Sequence, residues 1–206
     1  MMKLFKNEDA FTGLEAAIVL IAFVVVAAVF SYVMLGAGFY ATGEAQKVVH
    51  TGTGQASSSL EIIGNVYGYA TTSTDLNYIV FTVGNTAGGT PIDITQMLVT
   101  YVCGEVSEVI TYDSGNSVVG SGSAVEPGDV GIADSKWTVI QTYNDVGGDV
   151  NHLLEPGEQF VLAVKLPEDK PTNNVRFAVN LHPAVGAVYP IERTVPPYLN
   201  TVNILT

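Results

Sequence analysis

The chain has 206 residues, room for one long helix and one domain of ordinary size. Its 8 basic residues stand against 20 acidic ones, a formal net charge of −12, so it repels nucleic-acid phosphates rather than binding them. The single cysteine, Cys103, excludes an intrachain disulfide and a cysteine metal cluster.

The first element is a short polar leader, residues 1–13, carrying Lys3, Lys6, Glu8 and Asp9 and ending at Gly13. An apolar segment follows at once: residues 16–43 run 28 positions without a charge, between Glu15 and Glu44. From Leu14 to Tyr40 lie 17 large apolar side chains, among them Ile18, Ile21, Val25, Val26, Val29 and Val33. As a helix, 25 such residues rise roughly 37 Å at about 1.5 Å each, enough for the ~30 Å hydrocarbon core of a bilayer. A strand of this length, apolar on both faces, would lie far outside usual sizes. Order matters as much as length. A secretory signal peptide keeps its small-residue cleavage site behind the apolar core, so cutting discards the core. Here the small-residue junction, Thr12-Gly13-Leu14, lies ahead of it. A cut between Gly13 and Leu14 leaves the apolar helix as the new N-terminus, and Lys3 and Lys6 hold the leader on the cytoplasmic side.

Gly36, Gly38 and Gly43 give a point where the helix can bend. Beyond Gly43 the pattern becomes one-sided, with Val49, Gly52, Ala56, Leu60 and Ile63 recurring at gaps of three and four. That spacing predicts one helix over residues 14–64, ending at Gly64-Asn65, with a stripe of small residues that lets neighbouring helices approach closely. Its packing surface is expected at Ile18, Ile21, Val25, Val26, Val29, Val33, Gly36, Val49, Ala56 and Ile63.

Residues 65–206 have the vocabulary of strands and turns. Tyr78–Val83, Gln96–Val102, Val106–Tyr112, Trp137–Tyr143, Gln159–Leu166 and Val175–Leu181 are separated by Gly/Asn/Pro/Asp clusters. In the last, Val175, Phe177, Val179 and Leu181 alternate with Arg176, Ala178, Asn180 and His182. The chain is therefore expected to be α+β, a long hydrophobic helix followed by an antiparallel β-sandwich. The Gly/Ser-rich segment 113–134 is expected to be a surface excursion.

No catalytic set emerges. His50, His152 and His182 sit in no metal-ligand spacing, and no Gly-rich loop joins a strand to a helix. Carboxylates gather in two loops, Glu126, Asp129 and Asp134 in one and Asp145, Asp149 and Glu155 in the other. Without the EF-hand spacing they read as solvated acidic loops rather than as a calcium site. No cofactor, no metal and no enzymatic activity is expected.

Four stretches carry a family resemblance. The junction Thr12-Gly13-Leu14-Glu15-Ala16-Ala17 runs into the valine-rich helix; Tyr78–Val83 precedes Gly88-Gly-Thr-Pro-Ile-Asp93; Leu154-Glu-Pro-Gly-Glu-Gln-Phe160 follows, and Ile191-Glu-Arg-Thr-Val-Pro-Pro197 lies in the tail. Together they resemble archaellins, the filament subunits of the archaeal flagellum. The resemblance implies cleavage after Gly13 by a prepilin-type leader peptidase and an immunoglobulin-like β-sandwich around a core of packed helices. It further implies a helical homopolymer, with or without paralogous subunits. The precursor would wait in the cytoplasmic membrane, and a membrane-bound motor ATPase and platform protein would drive assembly and rotation. The mature filament would be extracellular, serving swimming motility and surface attachment. Two alternatives stay open on the residues alone: an archaeal type IV adhesion pilin, and a membrane-anchored extracellular binding domain. Type IV pilins carry a glutamate at the fifth mature position, whereas Glu15 is the second here, which weighs against the pilin.

Overall fold

The computed structural model of the protein describes residues 8–57, 59–86, 89–117, 119, 125–126, 131–144 and 151–206. Lys3 and Lys6 of the leader, Gly88 of the second signature and the carboxylates Asp129, Asp145 and Asp149 lie outside the described residues. Two compact units divide the chain, Met1–Thr51 and Gly52–Thr206.

Helix α1 runs from Glu8 to Ser57 without a break, about 75 Å at ~1.5 Å per residue. It contains no proline, and its threonines do not interrupt it. The hydroxyls of Thr42 and Thr51 donate back to the carbonyls of Gly38 and Lys47, at 2.8 and 2.9 Å. Side chains bonded in this way bend a helix slightly but leave it continuous. The glycine-rich stretch around Thr51 is therefore helical.

The helix is shorter at its C-terminal end than its spacing predicts. Leu60–Tyr69 form strand β1, so Leu60 and Ile63 leave the helical stripe and the β-domain begins before residue 65. Ile63 pairs with Thr82 instead of facing another helix. The cause is physical. Three serines, 57–59, stand ahead of Leu60 and compete with helical hydrogen bonding through their hydroxyls. The β-branched pair Ile62-Ile63 then favours a pleated surface, and Leu60 gains complete burial in the β-domain core. A 3–4 spacing of apolar residues over so short a run does not distinguish the two outcomes.

The remaining strands are β2 (Tyr78–Asn85), β3 (Ile92–Asp93), β4 (Leu98–Cys103), β5 (Val106–Tyr112), β6 (Lys136–Tyr143), β7 (Leu153–Leu154), β8 (Gln159–Lys165), β9 (Arg176–His182), β10 (Tyr189–Thr194) and β11 (Val202–Leu205). With β1, eight of them form one hydrogen-bonded sheet in the order β10-β9-β4-β5-β6-β8-β2-β1-β11 among the described residues. Among these described strands every pairing is antiparallel except one: β5 and β6 run parallel through Thr111–Lys136 and Tyr112–Trp137. The long 113–134 connection between them allows a return to the same direction, which a tight hairpin cannot. That short junction joins two groups of strands, β10-β9-β4-β5 and β6-β8-β2-β1-β11.

One buried cluster draws on both groups. Val99, Tyr101, Ile110, Phe177, Val179, Leu181 and Ile191 come from the first, and Ile79, Phe81, Val83, Trp137, Leu162 and Val164 from the second. The alternation read in β9 is realised, with Phe177, Val179 and Leu181 buried between less buried neighbours. Cys103 is half-buried at the end of β4 and packs on this cluster as a small hydrophobe.

The loop signatures of the sequence meet in space. β3, within the Gly88–Asp93 stretch, pairs with β7, which opens the Leu154–Phe160 stretch. The buried Asn85 amide donates to the carbonyls of Thr90 and Leu154, at 2.9 and 3.0 Å, tying both to the end of β2. Asp93 caps a single 3-10 turn, Ile94–Gln96, accepting from the Thr95 amide at 2.9 Å, the Thr95 hydroxyl at 2.7 Å and the Gln96 side chain at 2.7 Å. The tail signature supplies the last four residues of β10, Ile191 to Thr194, paired with β9, and the Thr194 amide donates to the carbonyl of Thr206.

Candidate assembly surface

The most unusual surface of the molecule is the first unit. Ile18, Ile21, Val25, Val26, Val29 and Val33 all point into open space, and so do Phe23, Phe30, Leu35 and Phe39 on other sides of the helix. Phe23 is 70% exposed and Val26 66%. An amphipathic helix presents its apolar residues along one stripe; this one presents them all round, which in water is untenable. The helix is long and apolar enough to cross a membrane within Gly13–Ala56.

Its glycines add a second observation. A methyl group built on Gly36, Gly38, Gly43, Gly52 or Gly54 meets nothing within 4 Å. Each costs about 1 kcal/mol of helix stability relative to alanine, and among the described residues no atom occupies the space that methyl would take. Small residues on a helix are expected where another helix must come close. Gly36, Val49 and Ala56 thus lie on α1 as read from the sequence, while Ile63 does not.

The junction Gly13-Leu14 lies inside α1, in its second turn. Leu14 is exposed, and nothing in the described residues packs on Gly13. Glu15 stands at the N-terminal side of the uncharged run and Glu44 and Lys47 at the other, so the charges of this segment sit at its two ends.

The second unit is held by polar contacts of an ordinary structural kind. Lys165 on β8 donates to the Ile132 carbonyl at 2.8 Å and meets Asp134 at 3.2 Å, pinning the end of the 113–134 excursion to the sheet. Burial alone would pull its ammonium pKa down, but hydrogen bonding to Asp134 and the neighbouring Tyr78 outweigh that and leave it raised. Arg176 and Glu192 form an exposed pair between β9 and β10. Among the described residues no group of three or more His, Cys, Asp or Glu side chains is placed to hold a metal. His50, His152 and His182 are far apart in the fold's element order, with His182 closing β9 and hydrogen-bonded to Thr100 at 3.3 Å.

Comparison with known proteins agrees with this division into an apolar helix and a β-domain. The archaeal-type flagellin family model matches residues 10–193. Probable flagellin 1 of Archaeoglobus fulgidus is 37% identical over 211 aligned residues, covering 99% of this chain and 98% of the relative. The solved archaeal flagellum of Methanospirillum hungatei strain JF1 superposes with a TM-score of 0.68 at 30% identity, over 94% of this chain and 99% of that one. The crystal structure of archaeal flagellin FlaB1 from Methanocaldococcus jannaschii shares the fold, with a TM-score of 0.57 at 24% identity over 72% of this chain and 96% of that one. A match that begins at residue 10, runs through the exposed helix and ends in β10 leaves one assignment: the chain belongs to the archaeal-type flagellin family.

Proposed function

We propose that this chain is made as a membrane-held precursor, loses its leader by a cut between Gly13 and Leu14, and polymerises as a structural subunit of the archaeal flagellum filament. Its work is mechanical, not enzymatic. The observation that carries the reading is the helix whose apolar side chains face open space on all sides.

Passing the 17 large side chains of residues 14–40 through water would cost on the order of 25–50 kcal/mol, at about 1.5–3 kcal/mol each. Transfer from lipid into a bundle of like helices exchanges one apolar medium for another. The same segment therefore serves first as membrane anchor and then as filament core. Since no water is there to drive apolar surfaces together, association rests on close packing, and the five glycines supply the room. A prepilin-type leader peptidase would make the cut, and a membrane motor ATPase with a platform protein would lift and turn the polymer outside the cell.

N-terminal sequencing of filaments sheared from cells tests the reading. Filaments composed of this chain are expected to begin at Leu14. Recovery of the chain only as soluble single molecules lacking residues 14–40 would overturn it.

A further inference from the structure

We propose that the outer face of β1 and β11, centred on Tyr67, Val202 and Ile204, is the surface on which the β-domain of a second copy of this chain docks in the filament. The proposal rests on the filament reading above and adds the place of contact.

The register puts these residues side by side. Tyr67 pairs with Ile204, and Tyr69 with Val202, on the face opposite the core residues Val66 and Leu205. Further in on the same face, Val80 and Ala163 are buried beneath Ile132 of the 113–134 excursion, with Val125 packed against them. That cover stops short of the sheet edge. Tyr67 is 37% exposed, Val202 48% and Ile204 55%. Their strand β11 is the last of the sheet, so among the described strands none pairs with its outer side. Tyr198 lies exposed just ahead of it.

Charge decides the occupant. Beyond residue 65 the chain has 15 acids and 5 bases. Of the bases, Lys165 and Arg176 already face Asp134 and Glu192. Two copies therefore cannot meet broadly through opposite charges, and juxtaposed carboxylates repel. They can meet where charge is missing. Residues 62–74, 76–92 and 195–206 contain no Lys, Arg, Asp or Glu, and they form most of β1, all of β2 and all of β11, three adjoining strands. These strands thus offer an aromatic and two aliphatic anchors with no charge between them, Glu126 standing at the inner margin beside Tyr69 and Val202. Natural sheets blunt such an edge with charge or proline; here β11 has neither. A second copy, carrying the same excess of acid, is the partner this surface fits, because an apolar contact joins two such domains without setting their carboxylates against each other.

The test uses the full chain expressed in cells that assemble it. Ile204→Cys and, as a control on a charged flank, Val109→Cys are labelled with a maleimide in detergent-dissolved subunits and in purified filaments, with labelling of native Cys103 in the unsubstituted chain subtracted. Assembly is expected to lower labelling at position 204 by about tenfold or more, as for a closed contact, and to leave position 109 unchanged. Equal labelling of position 204 in both states overturns the proposal, as does loss of labelling at both positions. Protection on whole cells that disappears in purified filaments would assign the face to another envelope component, and also overturns it. An Ile204→Glu chain is expected to be processed and protease-resistant as a folded subunit but to give filaments shortened about tenfold; filaments of unchanged length count against the contact. Failure of the unsubstituted chain to appear in filaments would instead remove the filament reading, and this proposal with it.

Discussion

At the scale of single residues, the signature Gly88–Asp93 has a packing reason for two of its members. A methyl group on Gly89 would lie 2.4 Å from the side-chain oxygen of Asn85 and 3.1 Å from the Thr86 carbonyl. Asn85 is buried and committed to Thr90 and Leu154, so it cannot turn aside without losing both hydrogen bonds. Gly89→Ala is therefore expected to destabilise the β-domain by about 1–3 kcal/mol, the cost of leaving a buried polar group unsatisfied, read as a lower urea midpoint by circular dichroism. Asp93 acts through its charge. Burial pushes its carboxyl pKa up, but the hydrogen bonds from Thr95 and Gln96 outweigh that and hold it below the usual carboxylate range. A depressed folded value means stability that is present above the unfolded pKa of about 3.9 and is lost as pH falls through the folded value. Asp93→Ala should cost about 1 kcal/mol at pH 7, and the difference between the two chains should shrink in an acid titration below pH ~4. A gap that stays constant into strong acid would show that the carboxylate charge is not what stabilises the turn.

Elements differ in how plainly their residues announce them. The core of α1 was legible because composition alone forces it: no other arrangement hides 28 uncharged positions with this many large apolar side chains. Short apolar runs bounded by turn residues, such as β5, β6 and β9, were legible as strands, and β9 also by its alternation. The end of the helix was not. Leu60 and Ile63 satisfy a helical spacing and a strand pairing equally, and only the long-range partners Asn85 and Thr82 decide between them. β11 was missed because four residues without a flanking turn cluster give no local signal; its place is set by β1, more than 130 positions away (Gly68 faces Asn203). The direction of the β5–β6 pair is likewise a property of the whole chain. Since α1 is the element with the firmest physical reading, it supports the sharpest substitution. Val26 stands 66% exposed in the middle of the uncharged run. Val26→Asp would place an unpaired carboxylate in a dry bundle, at several kcal/mol per subunit. Electron microscopy is expected to find no filaments although the subunit is still made; filaments of normal length would contradict the bundle.

For the molecule as a whole, the charge distribution divides the labour between the two units. The proposed cut would take away Lys3, Lys6, Glu8 and Asp9 together, two bases and two acids, and leave the formal net charge at −12. The uncharged helix contributes little to that value, so the charge resides on the β-domain, the unit a filament would turn to water. A polymer repeating this charge at every subunit is a dense polyanion. Neighbouring filaments then repel over roughly a Debye length, about 8 Å at physiological salt. That repulsion must vanish as the carboxylates take up protons, because so few bases remain to be uncovered and the sequence pI lies near 4.4. Dispersed filaments are therefore expected to bundle as pH is lowered from 7 towards 4.4, with light scattering rising. High salt at neutral pH should produce part of the same effect by screening. The order of events separates this from unfolding. Asp93 keeps its charge to lower pH than an ordinary carboxylate, so bundling should begin while the far-ultraviolet dichroism of the β-domain is still native, and raising the pH again should disperse the bundles. Scattering that stays flat down to the pI, or that rises only together with loss of dichroism, would show that surface charge is not what keeps the filaments apart.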